Sequence, residues 1–124
     1  MTDERPAARA AVAVRRAADA YGFDVESASW YDGTGPSGTR YEVKSTESRG
    51  YRIFEDQHTS LTSAPSAYYV FVRFRSDGSV RDMTRRRPKT VTRYVNDAGG
   101  WVKSGHDRLD GPGGERYLDP DRPF

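Results

Sequence analysis

Apolar residues recur along this chain with two different periods, and the switches between them lay out its elements. Over residues 4–21 the spacing is helical: Val14, Ala17, Ala18 and Tyr21 share a stripe, Arg5, Arg9 and Arg16 lie away from it, and the body is rich in alanine. Thr2 or Asp3 suits the N-cap, Pro6 is tolerated in the first turn, and Gly22 is a stop signal.

The period then drops to two. Residues 23–32 read as a strand, Gly33-Thr34-Gly35-Pro36-Ser37-Gly38 as a turn and residues 39–46 as the returning strand, which together make a β-hairpin. Parity along the first strand places Asp24, Glu26, Ala28, Trp30 and Asp32 on one face. A turn at Glu47-Ser48-Arg49-Gly50 leads to a short third strand over 51–54, and residues 55–64 predict a helix ended by Pro65. Residues 67–75 are apolar on both faces almost to their end, which suits a central strand covered from both sides. Asp77-Gly78 turns the chain into a short edge strand over 80–83. A helix is expected from Pro88 to Ala98, closed by Gly99-Gly100, and beyond Trp101 an irregular tail with Tyr117 and Leu118 as docking points.

The 124 residues suit one compact unit, read as a core over 1–84 and a basic C-terminal helix and tail over 85–124 that packs on it or extends from it. A hydrophobic fraction of 35% is low, so a dimer or bound nucleic acid is expected to supply further burial. No apolar run approaches the roughly 20 residues that span a bilayer, and the first residues lack the basic-then-apolar layout of a secretory signal, so a cytoplasmic protein is expected. There is no cysteine, which excludes disulfides and thiolate zinc sites and makes any metal site oxygen-ligated. His58 reads as a surface or partly packed residue, and His106, in a basic loop, as a phosphate contact. The net charge of +2 is uneven, with the C-terminal third the basic part. Arg85-Arg86-Arg87-Pro88-Lys89, followed by Arg93, is the expected nucleic-acid contact, of the kind that adds affinity without sequence preference.

The candidate chemistry lies in Glu42-Val43-Lys44. Strand alternation projects Glu42 and Lys44 from one face and Val43 from the other, and Asp32 sits across the turn ten residues earlier. Two acids and a lysine in this order suggest a magnesium-dependent phosphodiesterase site. Asp32 and Glu42 suffice as carboxylates for Mg²⁺, which keeps several waters. Lys44 then serves the developing negative charge or the attacking water, and Gln57 positions one or the other. Glu26 is the substitute for Asp32. The same residues also admit a plain reading, with Glu42 and Lys44 as an ion pair on a solvated strand, Asp32 as a turn residue before Gly33, and Gln57 as an ordinary first-turn helix residue.

The order helix, hairpin, strand, helix, strand resembles the PD-(D/E)xK nuclease superfamily, and most of all its archaeal Holliday-junction resolvases. The resemblance rests on Glu42-Val43-Lys44-Ser45, the turn to Gly50, Tyr51-Arg52-Ile53, and Glu55-Asp56-Gln57 at the start of a helix, and it covers residues 4–75. It implies a restriction-endonuclease-like α/β fold, a mixed sheet flanked by helices in the order α-β-β-β-α-β, with the basic extension added. It also implies catalytic Asp32, Glu42, Lys44 and Gln57, with Mg²⁺ or Mn²⁺ held by Asp32, Glu42 and the Val43 carbonyl. The implied activity is endonucleolytic cleavage of DNA, branched DNA included, by a homodimer. The Pro-Asp pair that names the superfamily reads Tyr31-Asp32 here, and the helical glutamate of the resolvases has only Glu4 as a match. The alternative is a non-catalytic module on the same fold that binds nucleic acid or a protein.

Overall fold

In the computed structural model, residues 5–28, 30–103, 113–122 and 124 are described. The chain runs α1 (Arg5–Tyr21), β1 (Asp24–Val25), β2 (Gly33–Thr34), β3 (Arg40–Thr46), β4 (Tyr51–Phe54), α2 (Glu55–Ser63), β5 (Ala67–Phe74), β6 (Val80–Arg86), α3 (Pro88–Asp97), β7 (Val102–Lys103) and β8 (Gly114–Leu118). Each helix ends where the sequence stops it. Gly22, at φ 72°, closes α1 with its N–H on the Ala18 carbonyl, Pro65 follows α2, and Gly99 and Gly100 follow α3 with positive φ.

The main sheet has the order β1-β2-β3-β5-β6 and is mixed: β3 and β5 are parallel, and every other neighbouring pair is antiparallel. Its register fixes the two layers. Tyr41 of β3 and Val70, Val72 and Phe74 of β5 face α1, where they pack on Ala13, Ala17 and Phe23. Tyr69 and Phe71 of β5 point to the opposite side and pack with Tyr51, Ile53, Leu61, Val91, Val95 and Leu118 from β4, α2, α3 and β8. Val70, Phe71 and Val72 are all at most 1% exposed, so β5 is buried on both faces as its continuous apolar pattern required. Each such side chain contributes roughly 1.5–3 kcal/mol by leaving water.

Gly33–Thr34, read as the start of the turn, is instead the strand β2 paired with Arg40 and Tyr41, and four further features differ from the sequence reading. Residues 23–32 are not one strand. Only Asp24–Val25 is strand; residues 26–28 and 30–32 lie outside any strand, and the Glu26 N–H bonds the Asp32 carbonyl (2.8 Å). The stretch Glu26-Ser27-Ala28 is exposed and has no apolar face to bury, so the alternation expected there has nothing to enforce it. β4 has the expected bounds but lies outside the main sheet, in a second sheet of order β4-β8-β7. The tail taken as irregular supplies β8, which pairs antiparallel with β4 from Tyr51↔Leu118 to Phe54↔Glu115. Leu118 is 2% exposed and Tyr117 50%. β6 runs to Arg86 rather than Met83 and takes Arg85 and Arg86 into the sheet edge. Among the described residues, no helix is long and apolar enough to cross a membrane.

Candidate active site

The site forms where β2 stops covering β3. β2 pairs only with the first two residues of β3, Thr34 with Arg40 and Gly33 with Tyr41. The Asp32 N–H, just before β2, extends the ladder to the Tyr41 carbonyl at 2.6 Å. Two residues further along β3 the Asp32 side chain takes over, and its Oδ2 accepts the Val43 N–H at 2.7 Å. The N–H and C=O of one strand residue point to the same side, so the Val43 carbonyl faces this same open edge.

Glu42 and Lys44 project from the face of β3 that carries Tyr69 and Phe71 on β5, with Glu42 opposite Tyr69 and Lys44 opposite Phe71. Glu42 is buried, at 6% exposed. Burial raises its carboxyl well above the usual carboxylate range. The hydrogen bond to the Asp32 carboxylate and that group's charge push the same way, against the Lys44 ammonium and the Val43 amide. The two acids therefore meet where Glu42 is largely withdrawn from water. Lys44 Nζ donates to Gln57 Oε1 at 2.9 Å and sits 5.2 Å from the centre of the Phe54 ring. Gln57 is in the first turn of α2, its own N–H bonded to Asp56 Oδ1 at 2.7 Å. Asp32, Glu42, Lys44 and Gln57 are thus brought together from a loop, a strand and a helix.

This donor set suits a hard divalent cation. Two carboxylates and a strand-edge carbonyl offer oxygen only, and a bound cation would offset the burial and the Asp32 charge that both raise the Glu42 carboxyl. Among the described residues no third carboxylate or imidazole joins the pair, so an ion held here keeps positions for water and substrate. Glu26, the substitute ligand, is drawn elsewhere: its Oε2 accepts from the Tyr31 hydroxyl at 3.2 Å and lies 4.0 Å from Arg40 Nη1.

His58 is not a surface residue. It is 5% exposed, with Nδ1 2.7 Å from the Tyr69 hydroxyl and Nε2 2.7 Å from Thr92 Oγ1. Burial lowers its pKa to about 4. The Thr92 hydroxyl gives its proton to the Pro88 carbonyl (3.1 Å), so Nε2 donates to Thr92 and Nδ1 accepts from Tyr69. His58 locks α2 to β5 and α3, and no ionised form of it serves as an acid or base at neutral pH. His106 lies outside the described residues.

The basic residues divide between two sides of the sheet. Arg85 stacks over Tyr68 (4.2 Å) and Tyr21 (4.9 Å) and Arg87 over Tyr68 (4.6 Å), on the α1 face and so across the sheet from Glu42 and Lys44. Arg86 donates to the Arg85 carbonyl at 2.9 Å. Lys89 and Arg93 are exposed on α3, in the layer that holds the site. The sequence reading passed over Phe54, whose ring lies 5.2 Å from the Lys44 ammonium, and Tyr69, which stands opposite Glu42 in the β3–β5 pairing and bonds His58. Phe54 left a trace as the last residue of β4, immediately ahead of the acidic start of α2. Tyr69 left none, because in an all-apolar strand a tyrosine reads as packing.

No curated protein matches the chain. A profile of the PD-(D/E)XK nuclease superfamily domain matches residues 1–113, nearly the whole of it. The mixed sheet flanked by helices, with β3 and β5 parallel at its centre, is the restriction-endonuclease-like arrangement of that group. On the extent of that match and on its fold, the chain belongs to the PD-(D/E)XK nuclease superfamily.

Proposed function

We propose that this protein is a divalent-metal-dependent endonuclease acting on DNA, branched DNA included, with Asp32, Glu42, Lys44 and Gln57 as its working residues. The observation that supports this reading best is the convergence of an acid pair with a lysine held by an amide, the Asp32–Glu42 contact lying beside the Lys44–Gln57 hydrogen bond. A structural ion pair on a solvated strand would not need a glutamate buried to 6%.

Asp32, Glu42 and the Val43 carbonyl would hold the cation, Mg²⁺ or Mn²⁺. When bound, it supplies Lewis-acid polarisation of the scissile phosphate and makes water more acidic. Lys44 places a fixed positive charge where negative charge develops on the phosphate oxygens. Its position needs no rearrangement at the moment of reaction, because the Gln57 amide and the Phe54 ring already hold it.

The test is Lys44→Ala, assayed with Mg²⁺ or Mn²⁺ on branched, flapped and plain duplex DNA. Cleavage should fall by about 10²- to 10³-fold, the scale for loss of one group that stabilises developing charge, with DNA affinity retained. If the unaltered protein cleaves none of these substrates with either metal, the enzyme reading is lost, and a binding module on the same fold takes its place.

A further inference from the structure

Beside the acid pair, and separate from it, lies a cavity of about 620 Å³ lined by Trp30, Ser37, Arg40, Ser60, Ser63 and Ser66. Its walls come from the loop before β2, the turn after it, the first residue of β3 and the C-terminal half of α2. It lies along the same route as the site. Arg40, Glu42 and Lys44 share one face of β3, so the Arg40 and Glu42 backbones are about 7 Å apart. Across from them α2 carries Gln57 at its start, beside Lys44, and Ser60 and Ser63 further along.

We propose that this cavity receives one unpaired nucleotide adjoining the scissile phosphate, with its base stacked on Trp30 and its phosphate held by Arg40. This deepens the nuclease reading and rests on it for the position of the scissile bond. Three observations support the assignment. The first is size, since about 620 Å³ falls within the range of small-molecule sites and suits a single nucleotide. A paired base would have to leave its stack to enter, so an unpaired one is favoured.

The second is the state of Arg40. Its guanidinium lies over the Tyr31 ring at 4.5 Å, and Nη1 donates to Thr34 Oγ1 at 2.5 Å and lies 4.0 Å from Glu26 Oε2. The stack and the hydrogen bond fix the plane, and an arginine has further N–H donors for a phosphate. The third is the lining itself. Trp30 is half-buried and meets the Tyr31 ring edge-on at 4.6 Å. Serine hydroxyls make up much of the rest, and among the described residues no acid lines the cavity. An aromatic platform with an arginine and neutral hydroxyls is the chemistry of sequence-tolerant single-strand binding.

The experiment compares a blunt duplex with the same duplex carrying a short unpaired flap, by fluorescence anisotropy of labelled DNA and by cleavage with Mg²⁺. Trp30→Ala should weaken flap binding by about tenfold or more, the scale for loss of one base stack, and leave blunt-duplex binding unchanged. Arg40→Gln should act on the same substrate. In full-length Trp101→Phe protein, which keeps Trp30 as the sole tryptophan, the flapped DNA should quench emission and the blunt duplex should not. This reading survives even if Trp30→Ala does not fold. Equal losses on both substrates, or no quenching by the flap, overturn the nucleotide site. Quenching and differential loss without any cleavage by the unaltered protein would keep this site and remove the nuclease reading. Cleavage without them would do the reverse.

Discussion

His58 gives the fold a pH dependence whose sign and size follow from its surroundings. An unfolded histidine titrates near 6.5 and the buried one at about 4. The unfolded chain therefore binds the proton more readily, and stability must fall as the pH drops through that window. Above 6.5 both states are neutral at this residue and its full contribution is present. Below about 4 both are charged and the loss is complete. At about 1.4 kcal/mol for each pH unit between the two values, that loss is about 3 kcal/mol, a large share of the 5–15 kcal/mol that holds a typical domain. The groups facing the ring agree with a neutral imidazole: the Tyr69 hydroxyl donates to Nδ1, Thr92 accepts from Nε2, and Trp101 packs 5.6 Å from it. No carboxylate among these contacts offers itself to an imidazolium. The assay is urea unfolding of the wild type and His58→Gln at several pH values from 4 to 7.5. The variant leaves the Tyr69 hydroxyl poorly matched and should be less stable at pH 7 by about 1–3 kcal/mol. Because it cannot titrate, its curve should be the flatter one, and the gap should close as the pH falls. Parallel curves across the whole range would refute the argument, since carboxylates elsewhere contribute equally to both proteins.

Two further substitutions test the local physics of the site and its support. Glu42→Gln removes an acid that burial and the Asp32 carboxylate both oppose, so the metal-free protein should gain on the order of 1 kcal/mol, about 3 °C in melting temperature, while Mg²⁺-dependent cleavage disappears; a lower melting point would show that the carboxyl group is a structural asset instead. Gly33→Ala puts a methyl group 2.2 Å from Phe23 Cδ2 and 2.5 Å from the Asp24 carbonyl, and Phe23 is stacked on Tyr41 at 4.4 Å and cannot retreat, so a cost of about 1–3 kcal/mol is expected in chemical denaturation. An unchanged midpoint would mean that β1 and β2 give way freely.

What the sequence could reveal depended on how far each signal reaches along the chain. The helices, β3 and β5 were legible because their patterns are local: alanine-rich helical spacing before Gly22, an alternating Glu42-Val43-Lys44, an apolar run over 67–75. Glu42 and Lys44 could be paired from strand alternation, whereas Gln57 joined them only through the resemblance to the nuclease superfamily. The partnership of β4 with β8 could not be read, since it joins residues more than sixty positions apart, and a Gly- and Pro-rich approach hid a five-residue strand. The loop before Asp32 shows a deeper limit. A period-two pattern assumes that backbone pairs with backbone, yet here a carboxylate stands in for a strand by taking the Val43 N–H. That substitution is what turns the turn residue Asp32 toward Glu42 without extending β2, and it leaves the edge of β3 open at Val43. A longer β2 would satisfy the same N–H and cover the Val43 carbonyl, so the end of strand pairing after Val25 and the edge left uncovered by β2 at the acid pair are one feature.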